Sequence, residues 1–404
     1  MSIFYLIFIA LAAYFSFRYD RIEEHDSHKN HRLWLMWGYM TLLTGFSYGL
    51  GADKFTYMRE FEKYPDSFNE TGNFIWYSLM MRGQMPLWTL VNMVAKTVFN
   101  SFYVVQLLES AAINFTVCYL LTRYTHRYFL FMLVYFFTLQ YFVFNTEVMR
   151  EGFAMSFALL GMEGYISGKK WLYFVMLPIG VMFHVSALIT LLFPLVNFKV
   201  NRKSFCYALA VSFAFWFLSD LLLGKVMTAA LGGVGAMVSR LLVYSSQATN
   251  LFGYIRYALT FLVFPFIIMY YALQHEQSEE RRRRKERMTA FAMTLGIVAS
   301  AMVGFVRFYN YVEIFYLIMF AEFIYLLAKE KRHFIIRVGT LAGTVLFIAL
   351  TYLNHYDTTN TYFYHFFYPY TCILSEDDDV YVREIAHSEA LELEVKDDNT
   401  RSVD

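Results

Sequence analysis

The chain has 404 residues, of which 58% are hydrophobic and only 17% charged, with a formal net charge of +1 and a mean hydropathy of +0.39. A soluble domain is about 45–50% apolar and about 25% charged, so this composition excludes a water-soluble globular protein, and the near-zero charge excludes a broad basic surface for nucleic acid. Cys118, Cys206 and Cys372 are too few and too scattered for a disulfide framework or a zinc site.

A helix needs about 20 predominantly apolar residues to cross the hydrocarbon core. The first candidate span, 2–17, lacks a basic leader region and a small-residue cleavage site, so it reads as a retained helix and not as a signal peptide. The next is 33–50. Residues 85–99 are short for a crossing and carry Lys96, which points to an interfacial or re-entrant helix. Spans follow at 102–121, 129–145 and 151–166. The apolar stretch 171–196 exceeds one crossing and holds Pro178, Gly180 and His184, so it is expected as two short helices with a turn near His184. Further spans are expected at 204–222, 251–273, 288–306, 308–328 and 334–354. From Glu376 the chain turns polar and acidic, and 373–404 reads as a disordered tail beyond a membrane domain of residues 1–372. The fold class is therefore all-α: a polytopic membrane protein of about twelve transmembrane helices and one short re-entrant or interfacial helix.

Lys and Arg in short loops fix orientation. Arg18, Arg21, Lys29 and Arg32, then Arg123 and Arg127, then Lys169 and Lys170, then Lys199, Arg202 and Lys203 are expected in the cytoplasm. The run Arg281 to Arg284 and Lys329 to Arg332 join them. The N-terminus is then outside, provided that 85–99 does not cross and 171–196 crosses twice.

This topology collects Asp53, Arg150, His184, Arg240, Arg256 and Arg307 at the outer face. A single arginine at a helix end ordinarily snorkels to the headgroups. Four on one side, with a histidine, suit a multiply charged anion, because guanidinium stays charged and its planar fork matches phosphate oxygens. Gly232, Gly233 and Gly235 follow no strand, so they read as linker and not as a nucleotide loop. His184 is a base candidate by its pKa near 6.5, or a turn residue bonded to a carbonyl; Asp53 competes with it, or caps a helix. Tyr57 is a packing or sugar-stacking residue, and Glu151 is placed to pair with Arg150. Glu109, Glu163, Glu313 and Glu322 are explained by helix–helix hydrogen bonds.

Several of these segments resemble the EpsG family of polysaccharide polymerases. They are Gly51-x-Asp53-x-x-x-Tyr57, the run Met149-Arg150-Glu151-Gly152-Phe153-Ala154, the turn Met182-Phe183-His184-Val185-Ser186-Ala187-Leu188, and Tyr368-Pro369-Tyr370 after the last span. The resemblance runs from the first span to about residue 372. Two positions depart from it: Ser47 stands where the family often has arginine, and Glu151 where glutamine is common. The resemblance implies a Wzy-like glycosyltransferase in the bacterial cytoplasmic membrane, with its active site facing outward. It would polymerise undecaprenyl-pyrophosphate-linked oligosaccharide units into exopolysaccharide, capsule or O-antigen, with membrane lipids around it. A chain-length regulator is a partner that the sequence leaves open. In this reading Arg150 and Arg307 hold the pyrophosphate, Arg240 or Arg256 supports them, and no metal or cofactor is needed. Two other classes remain as alternatives. One is a membrane O-acyltransferase modifying such glycans. The other is a transporter of lipid-linked oligosaccharide, which should show an internal repeat.

Overall fold

The computed structural model describes residues 3–23, 26–51, 53–221, 250–329 and 363–374, with short helical pieces between 338 and 352. Among these, every regular element is helical. The acidic tail, Arg240 and most of the expected span 334–354 lie outside the described residues. Large apolar side chains including Phe17, Tyr207 and Phe252 face outward, an arrangement that lipid stabilises and water does not.

The helices α1 (Ile3–Tyr19), α2 (Ser27–Gly45), α3 (Asp53–Phe61), α4 (Thr71–Arg82), α5 (Pro86–Phe99) and α6 (Phe102–Tyr124) form the first part of the chain. Local chemistry sets their ends. Asp26 caps α2 by accepting from the backbone N–H groups of His28 and Lys29 at 2.8 and 3.3 Å. Gly83 ends α4 in the left-handed region, and Pro86 opens α5 at a position where its missing N–H costs nothing. Helix α5 does not run across the bundle. Trp88 near its start meets Tyr57 of α3 at 5.5 Å, and Lys96 near its end pairs with Glu62 at 2.7 Å. Along its length it packs on α4 and α6.

The expected span 129–145 is not one helix. It is α7 (Tyr128–Phe137) and α8 (Gln140–Glu147), bent by 87°. Leu139 takes a left-handed backbone, φ 63°, and α8 closes in a π turn over Val143–Glu147. Polar partners hold the bent piece in place: Asn145 accepts from Thr44 of α2 at 3.1 Å and from Asn114 of α6 at 2.9 Å. Buried polar atoms must find partners, and the bend brings Asn145 to them.

Helices α9 (Met149–Ile166) and α10 (Lys170–Phe183) follow, and the chain then turns at His184 into a 3-10 helix, Val185–Leu192. This segment does return across the bundle. Phe193 packs on Tyr165 at 5.9 Å, and its carbonyl accepts from Arg287 at 3.1 Å. Next come α11 (Arg202–Leu221), α12 (Leu251–Gln274), which contains a π turn, and α13 (Glu279–Ala301). A 3-10 helix, Val303–Tyr309, leads into α14 (Asn310–Lys329). Among the described residues, three helical stretches are long and apolar enough to cross a membrane: Phe102–Tyr124, Leu251–Gln274 and Gly304–Lys329.

The basic loops meet at one end. Lys29 donates to the carbonyls of Ile22 and His126 at 2.9 and 2.7 Å. Arg127 pairs with Glu23 at 2.7 Å, Lys285 with Glu276 at 2.7 Å, and Glu163 with Arg123 at 3.2 Å and with Arg284. Helices α6, α9 and α10 each run from this basic end to the opposite end, where Phe102, Arg150 and His184 lie.

Candidate active site at the end opposite the basic loops

Four pieces of chain converge there: the loop entering α3, the junction of α8 and α9, the turn at His184, and the 3-10 helix before α14. The closing segment braces the first of these. Gly51 donates to the Phe366 carbonyl at 3.0 Å, and Tyr48 to the Thr371 carbonyl at 3.0 Å. Gly51 has φ +93°, and a Cβ there would lie 2.8 Å from Thr146 Oγ1. Both the backbone and the space therefore demand glycine. The next described residue, Asp53, opens α3 and is exposed; its backbone N–H donates to Glu147 Oε2 at 3.0 Å.

Arg150 stands in the first turn of α9 with its Cζ 5.6 Å from the Tyr57 ring centre. Its Nε is buried and meets no hydrogen-bond acceptor among the described residues. No carboxylate among them lies within ion-pair distance, although Glu60 and the phenols of Tyr57 and Tyr64 act on its charge. Tyr57 is buried against Trp88, and its hydroxyl donates to the Glu147 carbonyl at 3.2 Å, so it forms the floor beneath the guanidinium. Burial holds the Tyr57 and Tyr64 phenols protonated, well above their ordinary range.

His184 faces Arg150 and Arg307, and both charges act on it. Burial first, and then these two cations, push the imidazole at this outer turn down to about 4. Its Nδ1 lies 2.6 Å from Ser186 Oγ. The expected pairing of Glu151 with Arg150 is not found as a hydrogen bond. Glu151 instead turns toward the histidine, its Oε1 accepting from Ser186 Oγ at 3.3 Å. Ser186 Oγ also lies 2.8 Å from the Tyr311 hydroxyl. Arg307 is exposed in the 3-10 helix, and its charge reaches both Glu151 and His184.

Other residues divide differently. Arg256 is exposed on α12 with no ion pair among the described residues. Glu163 and Glu322 are bonded between helices as expected, Glu322 accepting from Thr125 at 2.5 Å. Glu109 is not: both its oxygens are buried without hydrogen-bond partners among the described residues. Its charge partner is Lys54, which the motif Gly51-x-Asp53 contains and sequence reasoning passed over. Lys54 is wholly buried, and its Nζ lies 3.0 Å from Ser47 Oγ and 3.3 Å from the Ser47 carbonyl. Desolvation lowers it to about 7, against the pull of Glu109 and Glu147. A cation thus occupies the place at Ser47, delivered from α3. Glu147 was also missed; its only signal is a carboxylate three residues before Arg150. A cavity of about 330 Å³ bounded by Ser167, Glu280, Arg283 and Arg284 lies at the basic end and does not serve this cluster.

A model of the EpsG family matches residues 32–372, and the chain belongs to that family, a Wzy-like polysaccharide polymerase family. No curated protein and no solved structure matches the chain. The chain is a membrane protein of polysaccharide biosynthesis.

Proposed function

We propose that this member of the EpsG family joins undecaprenyl-pyrophosphate-linked oligosaccharide units at the outer face of the cytoplasmic membrane. In this reading the chain crosses the bilayer about twelve times. The observation that carries the proposal is Arg150, a largely buried guanidinium with no carboxylate within ion-pair distance among the described residues, beside His184 and at the end opposite the basic loops. Leaving such a charge uncompensated is costly. It is best explained as a cation awaiting an anion.

The chemistry is glycosyl transfer. A hydroxyl oxygen of the acceptor sugar bonds to the anomeric carbon of the donor while the bond from that carbon to the phosphate oxygen breaks. The electron pair leaves on the carrier pyrophosphate, where negative charge builds. Arg150 and Arg307 stabilise it, and preorganised charge of this kind is commonly the largest catalytic contribution. The acceptor's proton passes to His184. The bound pyrophosphate cancels the two cations that depress the imidazole, so His184 becomes a better base once the donor is in place. Exopolysaccharide, capsule and O-antigen are the polymer classes this reaction serves.

The test is the size distribution of lipid-linked glycan in cells lacking the gene, complemented with the native or the Arg150→Ala chain. Single repeat units that accumulate on their carrier and are not extended by the variant support polymerisation with Arg150 in the site. Full-length polymer lacking only an acyl substituent would make the protein a modifying acyltransferase. Repeat units retained on the inner leaflet would make it a transporter.

A further inference from the structure

We propose that Glu151, acting through the hydroxyl of Ser186, determines which ring nitrogen of His184 carries the proton. The inference rests on the reading of His184 as the proton acceptor. It begins from hydrogen-bond accounting around one oxygen. Ser186 Oγ is buried and touches three polar groups: His184 Nδ1 at 2.6 Å, Tyr311 OH at 2.8 Å and Glu151 Oε1 at 3.3 Å. A serine hydroxyl has one hydrogen to give and two lone pairs to fill. Tyr311 is wholly buried and has no other hydrogen-bond partner among the described residues, so its phenol donates to Ser186.

Two arrangements complete the set. With Glu151 ionised, Ser186 gives its hydrogen to the carboxylate and receives one from His184 Nδ1–H. The other nitrogen, Nε2, is then bare and can take a proton from a sugar hydroxyl. With Glu151 protonated, the carboxyl donates to Ser186, Ser186 donates to Nδ1, and the hydrogen sits on Nε2. In that state His184 can only donate. The ionised carboxylate therefore selects the tautomer that works as a base, as an orienting acid does for a catalytic histidine elsewhere. The groups facing the relay are Arg150 from α9, Arg307 and Asn310 from the segment leading into α14, and Tyr311. The side chain of Asn310 also lies close to the Glu151 carboxyl.

A purely structural role is available to the same histidine. The backbone N–H of Ser186 reaches Nδ1 at 3.3 Å, so His184 can serve as the cap of the 3-10 helix that follows when Nδ1 carries no hydrogen, which is the second arrangement and not the first. The two roles separate experimentally, because Ser186→Ala keeps the backbone cap and removes the relay. Repeat-unit lipid extracted from cells lacking the gene is the substrate, and the purified full chain in lipid nanodiscs is the enzyme. Ser186→Ala and Glu151→Leu are expected to lower kcat by at least about tenfold, within the roughly 10²–10⁴-fold that a general base supplies. Neither should shift KM comparably, and the acid limb of the pH–rate profile should move to lower pH as the imidazolium loses its hydrogen-bond acceptor. Glu151→Gln keeps an acceptor oxygen and should lose less than Glu151→Leu. If Ser186→Ala does not reach the membrane, the Glu151→Leu and Glu151→Gln pair decides the matter, with equal rates counting against the relay. Unchanged rate and profile in Ser186→Ala, alongside an inactive His184→Gln, would overturn the relay and leave the base intact. An active His184→Gln would remove the base and the relay together.

Discussion

At the residue scale, the contrast between two arginines decides what each substitution should do. Arg284 is buried against Glu163 and Glu280, whereas Arg150 has no ion-pair partner among the described residues. Removing Arg150 orphans no carboxylate, so Arg150→Ala is expected to accumulate in the membrane at the native level. Its polymer output should nevertheless fall by about 10²-fold or more, the cost of losing one preorganised stabilising group. Arg150→Lys should restore only part of this, because a point charge cannot match phosphate oxygens with a planar fork. Quantifying glycan per unit of membrane-inserted protein separates these outcomes; native output from Arg150→Ala would remove the pyrophosphate role. The histidine adds a pH prediction. Activity that needs neutral His184 is complete above the imidazole pKa and is lost as pH falls through it. The acid limb in the donor-free enzyme therefore belongs near 4 and not near the ordinary 6.5. A kcat/KM profile on membranes checks this, since that ratio reports the free enzyme, and a midpoint close to 6.5 would show that neither burial nor the two cations act on the ring.

At the element scale, the junction of α8 and α9 is where the sequence was hardest to read. Residues 129–145 are predominantly apolar and contain neither Gly nor Pro, so nothing local announces that Leu139 will take a left-handed backbone. The bend is imposed from outside by Thr44 and Asn114 gripping Asn145. By contrast α6, α12 and α14 were legible because a run of apolar residues is itself the physical requirement for a crossing. The turn at His184 was legible because Pro178 and Gly180 interrupt a stretch too long for one helix. In the site, Arg150 and His184 stood out as polar groups at helix ends. Lys54, Glu147 and Ser186 did not, since their roles come from residues 35 or more positions away in sequence, apart from the contacts of Lys54 with Ser47 and of Ser186 with His184. The junction also makes a prediction. A Cβ on Gly152 would overlap Glu109 Oε1 and lie 2.8 Å from the Phe144 carbonyl oxygen. Gly152→Ala should therefore destabilise the protein by about 1–3 kcal/mol, as overpacking does, and displace Arg150 one turn away. Adding Glu109→Ala opens space on one side, so the pair should be less damaged than the sum of the two changes. Melting curves of the four proteins in one detergent would show it, and strict additivity would mean the two groups do not meet.

At the scale of the whole molecule, charge is sorted between the two ends by what it is paired with. At the basic end Arg123, Arg127, Arg284 and Lys285 are paired with carboxylates, and Glu163 is the hub. It is buried and accepts from Tyr124 at 2.8 Å, Ser167 at 2.9 Å, Arg123 at 3.2 Å and Arg284. These bonds tie α6, α9 and α13 together where they enter the bilayer region. At the opposite end Lys96 pairs with Glu62, but Arg150 has no ion-pair partner among the described residues, the feature on which the proposed substrate role rests. Removing the hub carboxylate should accordingly cost stability and spare chemistry. Glu163→Ala leaves buried Arg284 with only the exposed Glu280 as partner, so the cost should lie below the roughly 3–5 kcal/mol of a fully orphaned buried charge. The variant should melt earlier and reach the membrane in smaller amounts, yet each inserted molecule should polymerise at the native rate. Glu163→Gln, which still offers an oxygen to Tyr124 and the arginines but no charge, should fall between the two. An undiminished melting temperature in Glu163→Ala would show that these contacts carry no stability. A lost rate per inserted molecule would instead show that the two poles are coupled through α9, the helix that carries both Arg150 and Glu163.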